Sequence, residues 1–129
     1  MDEVLCPLDR PDPERIGQFS RPCFRLAQPL INDRCRRPLE EHGAAYCVMS
    51  GAGIPGVLRA TAPFVYVRLH GPDHHHLYAG SYSDDDLRWW SDRVREWHGM
   101  GRDVFVYFNN DGGGNAVRNA LTLKGMIGA

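Results

Sequence analysis

The chain has 129 residues, 43% of them hydrophobic, enough for one modest core and too few for two, so a single domain is expected. Its 15 basic and 16 acidic residues leave a net charge of −1, without the basic excess that draws a protein to a phosphate backbone. No apolar run approaches the ~20 residues of a membrane span, and Met1-Asp-Glu-Val-Leu-Cys-Pro7 lacks the basic and apolar regions of a signal peptide, so a cytoplasmic protein is expected.

Residues 1–31 carry Pro7, Pro11, Pro13, Pro22 and Pro29 and no sustained hydrophobic period, which reads as an irregular, proline-rich segment. Within it, Asp12 to Phe19 reads as a short helix, with Asp12 as cap and Pro13 at the first helical position. The cysteines Cys6, Cys23, Cys35 and Cys47 form no C-x-x-C pair and read as reduced structural thiols.

Asn32 to His42 is a helix candidate ended by Gly43, with Pro38 inside it as a weakness. Ala44 to Met49 reads as a buried strand. Gly51-Ala-Gly-Ile-Pro-Gly56 matches a G-x-G-x-x-G pattern, but Pro55 sits inside it and about six residues precede the next strand, so no dinucleotide-type helix can follow and it reads as a loop. Pro63 to His70, rich in β-branched and aromatic residues, is a second strand. His74-His-His76 is three consecutive side chains on a loop, which cannot converge on a metal without a further fixed ligand.

Ser83-Asp-Asp-Asp86 opens a helix, Ser83 as cap and the carboxylates suiting the positive end of its dipole. Leu87, Trp90, Val94 and Trp97 recur along one stripe of it and read as core, and Gly99 and Gly101 end it. Arg102 to Phe108 is a third strand and residues 115–127 a last helix, with Asn115 as its cap. Alternating strands and helices imply parallel strands joined by crossovers, and such sheets place ligands at the carboxyl ends of their strands.

Strand alternation puts Phe64, Tyr66, Arg68 and His70 on one face, and Phe105, Tyr107 and Asn109 on a face with the same aromatic-then-polar order. Arg68 and Asp111 then either pair as a buried strut or serve a wet, ligand-facing pocket. His70 leaves its strand beside Gly71 and can act as an acid or base near neutral pH or as a hydrogen-bonded structural residue. Gly112, Gly113 and Gly114 permit positive φ before a helix N-terminus, which suits an anion or simply a tight turn. Asn119, one turn into the helix, is placed to brace that loop.

Tyr66-Val-Arg-Leu-His-Gly71, Tyr78-Ala-Gly-Ser-Tyr82, the run from Leu87 through Trp97, Gly101-Arg-Asp-Val-Phe-Val-Tyr-Phe-Asn-Asn-Asp111 and Asn119-Ala120 occur in order at spacings that closely resemble the C-terminal part of the DUF72 (YecE-like) family. The resemblance covers about residues 32–128 and includes Leu39-Glu-Glu-His-Gly-Ala-Ala45. It implies a (β/α)8 barrel roughly twice this length. It also implies a cluster of polar residues at the strand ends, with Arg68, His70, Asn109, Asn110, Asp111 and Asn119 matching that pattern.

The family's N-terminal half is absent, and its arginine-histidine-proline-serine-tryptophan strand is not recognisable in Gln18 to Leu26. A lost reading frame or altered gene start would account for residues 1–31. The expected architecture is thus an irregular segment, 1–31, followed by residues 32–129 as a partial TIM-barrel-like α/β unit, three or four parallel strands with helices on one side. Open edges on such a unit imply self-association or a partner chain.

The resemblance implies a polar or anionic small ligand, with Arg68, Asn109, Asn110 and Asn119 binding it and His70 and Asp111 serving as acid/base and as base or orienting group in hydrolytic or isomerising chemistry. No metal site is assigned, and the cofactor is left open. The alternatives are a non-catalytic interaction module or an inactive fragment. A metal-dependent phosphodiester or sugar-processing barrel is a weaker third, because only His70 and Asp111 are well placed for it.

Overall fold

In the computed structural model, residues 33–54 and 56–128 are described. The expected helix at Asp12 to Phe19 and the whole of 1–31 lie outside them. The elements run α1 (Asp33–Glu41), β1 (Cys47–Ser50), β2 (Phe64–Leu69), α2 (Asp84–Gly99), β3 (Asp103–Phe108), a 3-10 turn (Gly112–Gly114) and α3 (Asn115–Ile127). The strands form one sheet in the order β1-β2-β3, and both pairings are parallel.

α1 forms despite Pro38, and Gly43 terminates it at φ 61°, where the Ala44 N–H returns to the Leu39 carbonyl at 2.9 Å. The chain then enters β1 three residues later than its apolar pattern suggests. The cause is Thr61: its buried hydroxyl donates to the Ala44 carbonyl and accepts from the Tyr46 N–H, both at 2.7 Å. A side chain thus satisfies backbone groups that a neighbouring strand would otherwise take.

Parallel strands ordinarily need a helical crossover, and α2 supplies one between β2 and β3. Between β1 and β2 the described residues of the 51–63 connection hold no helix, in keeping with the reading of Gly51 to Gly56 as a loop. This connection is too short and too rich in glycine and proline to form one.

Tyr46, Val48, Val65, Val67 and Leu69 face one side of the sheet, where Leu39 of α1, Leu87, Trp90 and Trp97 of α2 and Leu123 of α3 cover them in one core. All four residues of the expected stripe on α2 are buried, each removal from water contributing ~1.5–3 kcal/mol. A capping box starts that helix: Ser83 Oγ accepts from the Asp86 N–H at 3.1 Å while Asp86 Oδ2 accepts from the Ser83 N–H at 3.0 Å.

The other face carries a smaller cluster of Ala45, Ala62, Phe64 and Tyr66. Toward β3 it opens to solvent, with Phe105 46% and Tyr107 52% exposed. Phe64 meets Phe105 edge-on at 6.0 Å and Tyr66 meets Tyr107 at 5.4 Å between ring centroids. Among the described residues no helix is long and apolar enough to cross a membrane.

Candidate functional site

Because the strands are parallel, the polar residues that follow them emerge along one rim. Ser50 ends β1, His70 follows β2, and Asn109, Asn110 and Asp111 follow β3. Arg68 is in register with Tyr107, so Asn109, two residues further along, shares its face. The Arg68 Nε donates to Asn109 Oδ1 at 3.3 Å, and both side chains are half-buried.

Asp111 is exposed on the turn after β3, and among the described residues no ion pair joins it to Arg68. The strut is therefore not built; Arg68 meets a neutral amide and Asp111 presents its carboxylate to solvent.

His70 is buried, 4% exposed. Its backbone N–H donates to the Ser50 carbonyl at 2.8 Å, and its ring Nδ1 lies 3.3 Å from the same oxygen. Tyr78 stands edge-on over the imidazole at 5.5 Å between ring centroids. Tyr78 is also the one described residue other than glycine with positive φ, at 68°. That conformation costs an L-residue energy, and here it is held where the Tyr78 N–H donates to the His70 carbonyl. No sequence pattern marks Tyr78 as strained, and it enters the site only through the structure.

Tyr82 ties this rim together. Its hydroxyl accepts from the Gly71 N–H at 3.0 Å and donates to Ser50 Oγ at 3.3 Å, and burial pushes its pKa up from 10.0. Gly71 adopts φ 103°, and a side chain there would collide with the Ala79 carbonyl. A cleft of about 430 Å³ opens between this rim and α2, lined by Ser50, Gly71, Tyr82 and Trp89; Arg68, Asn109 and Asp111 lie outside it.

Asn110 and Asn119 are turned inward, contrary to the ligand-facing expectation. Asn110, fully buried, donates from Nδ2 to the Gly80 carbonyl and to Asn119 Oδ1, both at 2.9 Å. Asn119 Oδ1 accepts from the Tyr82 N–H at 3.1 Å, and its Nδ2 donates to Ser81 Oγ and the Tyr82 carbonyl. The two amides thus brace the 80–82 loop against α3, whereas the expectation for Asn119 was the 112–114 glycine loop.

Gly113 and Gly114 do take positive φ, at 63° and 76°. Gly114, with no side-chain cap bond, holds the cap position expected for Asn115. Asn115 is already helical and donates from Nδ2 to the Gly80 carbonyl at 3.2 Å. The N–H groups of Asn115 and Ala116 are taken by the carbonyls of Gly112 and Asn110, which makes this a tight strand-to-helix turn rather than an open anion nest.

The histidine loop is organised by Asp73, whose Oδ1 accepts from the His75 and His76 N–H groups at 2.7 and 3.0 Å. These backbone bonds hold its carboxyl below 3.8. Among the described residues no three His, Cys, Asp or Glu side chains are grouped to hold a metal ion.

A family profile described as a protein of unknown function, DUF72, matches residues 25–129, starting upstream of the residue 32 expected from the motifs. A search of curated proteins returns no match. Among solved structures, a DUF72 family protein of Enterococcus faecalis superimposes with a TM-score of 0.69 at 20% identity over 77% of this chain. One of Thermotoga maritima superimposes with a TM-score of 0.65 at 26% identity over 76%. In each case the match spans 42% of the longer chain, so the present unit is part of a TIM-barrel-like fold.

Proposed function

The chain belongs to the DUF72 family, and on that footing we propose that its strand-end rim binds a polar or anionic small molecule, held by Arg68 and Asn109 and flanked by His70 and Asp111. The observation that carries this reading is the Arg68–Asn109 pair. A half-buried guanidinium near a strand end is oriented by an amide of the adjacent strand, at the rim where parallel sheets present their ligands, and a guanidinium so oriented suits a carboxylate or phosphate.

Asn110, Asn119 and Tyr82 serve the reading indirectly, by fixing the loops from which the rim is built. In a full-length barrel the same rim would support hydrolytic or isomerising chemistry, with His70 as acid/base and Asp111 as base or orienting group; fold by itself does not confer an activity.

The test is a thermal-shift screen of the 129-residue chain against phosphate, sulfate, sugar phosphates and dicarboxylates. The reading expects at least one of these to raise the melting temperature of the wild type and not that of Arg68→Ala. It fails if none does, or if the variant responds equally. A non-catalytic interaction module is the second reading, favoured by the exposed outer strand.

A further inference from the structure

β3 is the edge of the sheet, pairing only with β2 among the described residues. Its sequence, Asp103-Val-Phe-Val-Tyr-Phe108, contains no lysine, proline or glycine, and no residue of it is buried. Edges of soluble sheets are normally blunted by such residues, and this one is not. Beside it, on the helix side, runs a groove of about 530 Å³ lined by Val94, Val104, Val106, Phe108, Leu123 and Ile127.

The hydrogen-bonding direction along β3 can be assigned. The Asn109 N–H donates to the Leu69 carbonyl at 2.8 Å, so Asn109 and, by alternation, Tyr107 and Phe105 turn their backbone groups toward β2. Val104, Val106 and Phe108 turn theirs to the open side. These same three place their side chains on the helix face, whereas Asp103, Phe105 and Tyr107 share the aromatic face with Tyr66 and Arg68.

From this geometry we infer that β3 is a self-complementary edge that pairs antiparallel with β3 of a second copy about a two-fold axis through Val106. A two-fold axis normal to the sheet keeps like faces together, so even-numbered residues must oppose even and odd oppose odd. Centring on Val106 sets Val104 opposite Phe108 of the second copy and Phe105 opposite its Tyr107. The outward N–H and C=O groups of Val104, Val106 and Phe108 then fall at the hydrogen-bonded positions, as the antiparallel ladder requires. Aromatic Phe105–Tyr107 pairs form at the closer, non-hydrogen-bonded positions, where such pairs are favourable.

Charge complementarity selects the same register. Asp103, exposed on the aromatic face, lands opposite Asn109 of the second copy, whose Oδ1 holds the Arg68 Nε. Each copy thereby brings a carboxylate to the other's Arg68–Asn109 pair, twice over by symmetry. The pairing stands on the edge geometry and does not depend on the ligand reading.

The experiment uses the full 129-residue chain. Light scattering at rising concentration should give twice the 14.6 kDa chain mass. Amide hydrogen exchange by NMR over the same range should slow at Val104, Val106 and Phe108 by about tenfold or more on association, while Phe105 and Tyr107, already paired to β2, change little. Val106→Pro removes an N–H that points away from β2, so it should restore the 14.6 kDa species with an unchanged circular dichroism spectrum. A monomer at all concentrations, an open-ended series of oligomers, or a dimer in which those three amides exchange as fast as in the monomer overturns the inference. The exchange measurement needs no variant, so the test stands even if Val106→Pro does not fold.

Discussion

Arg68 and Asn109 stand on adjacent parallel strands with Nε and Oδ1 3.3 Å apart, and no ion pair connects that guanidinium to Asp111 among the described residues. The amide oxygen accepts from the guanidinium and helps fix its orientation at the strand-end rim.

The inward-facing amides make the opposite prediction. Asn119→Ala removes the Oδ1 that accepts from both the Tyr82 N–H and Asn110 Nδ2, and the Nδ2 that donates to the Tyr82 carbonyl, all at buried positions. The expected loss is ~2–4 kcal/mol in chemical denaturation, with little change in m. A loss below about 0.5 kcal/mol would show that the 80–82 loop is held by other contacts.

Two glycines separate conformation from crowding. Gly71→Ala must keep φ near 103° and collides with the Ala79 carbonyl, whereas Gly53, at φ 66°, has nothing within 4 Å of an added Cβ. Gly53→Ala is expected to cost only the ~1–2 kcal/mol of a left-handed L-residue. Gly71→Ala should cost clearly more, or prevent folding. Equal losses by denaturation would contradict the close approach.

Much of this was legible in the sequence, for identifiable reasons. The stripe Leu87-Trp90-Val94-Trp97, the Ser83 cap and the strands around Val65 to Leu69 and Val104 to Phe108 are local patterns whose periodicity survives packing. What escaped depends on distant partners. The late onset of β1 follows from Thr61, 15 residues beyond Tyr46. The inward turn of Asn110 depends on Gly80 and Asn119, and the strain at Tyr78 on the His70 carbonyl. An asparagine after a strand looks the same in sequence whether its amide serves a ligand or a loop.

Tyr82 gives the fold an alkaline limit. Burial raises its pKa, so the stability it contributes is fully present below the ordinary value of 10.0 and is lost as pH rises through the higher folded value. Wild-type stability should therefore fall above about pH 10 more steeply than that of Tyr82→Phe, which starts lower because it loses the Gly71 and Ser50 bonds. Parallel slopes in urea titrations across that window would place the hydroxyl in water.

The most direct measurement is a cycle of Arg68→Ala, Asp111→Ala and the double variant, followed by urea denaturation and by calorimetric titration with inorganic phosphate. A ligand-facing pair predicts that each substitution changes stability by less than about 0.5 kcal/mol, that the two effects add, and that Arg68→Ala abolishes phosphate binding. Stability losses coupled by more than about 1 kcal/mol, or phosphate binding that survives Arg68→Ala unchanged, would contradict it.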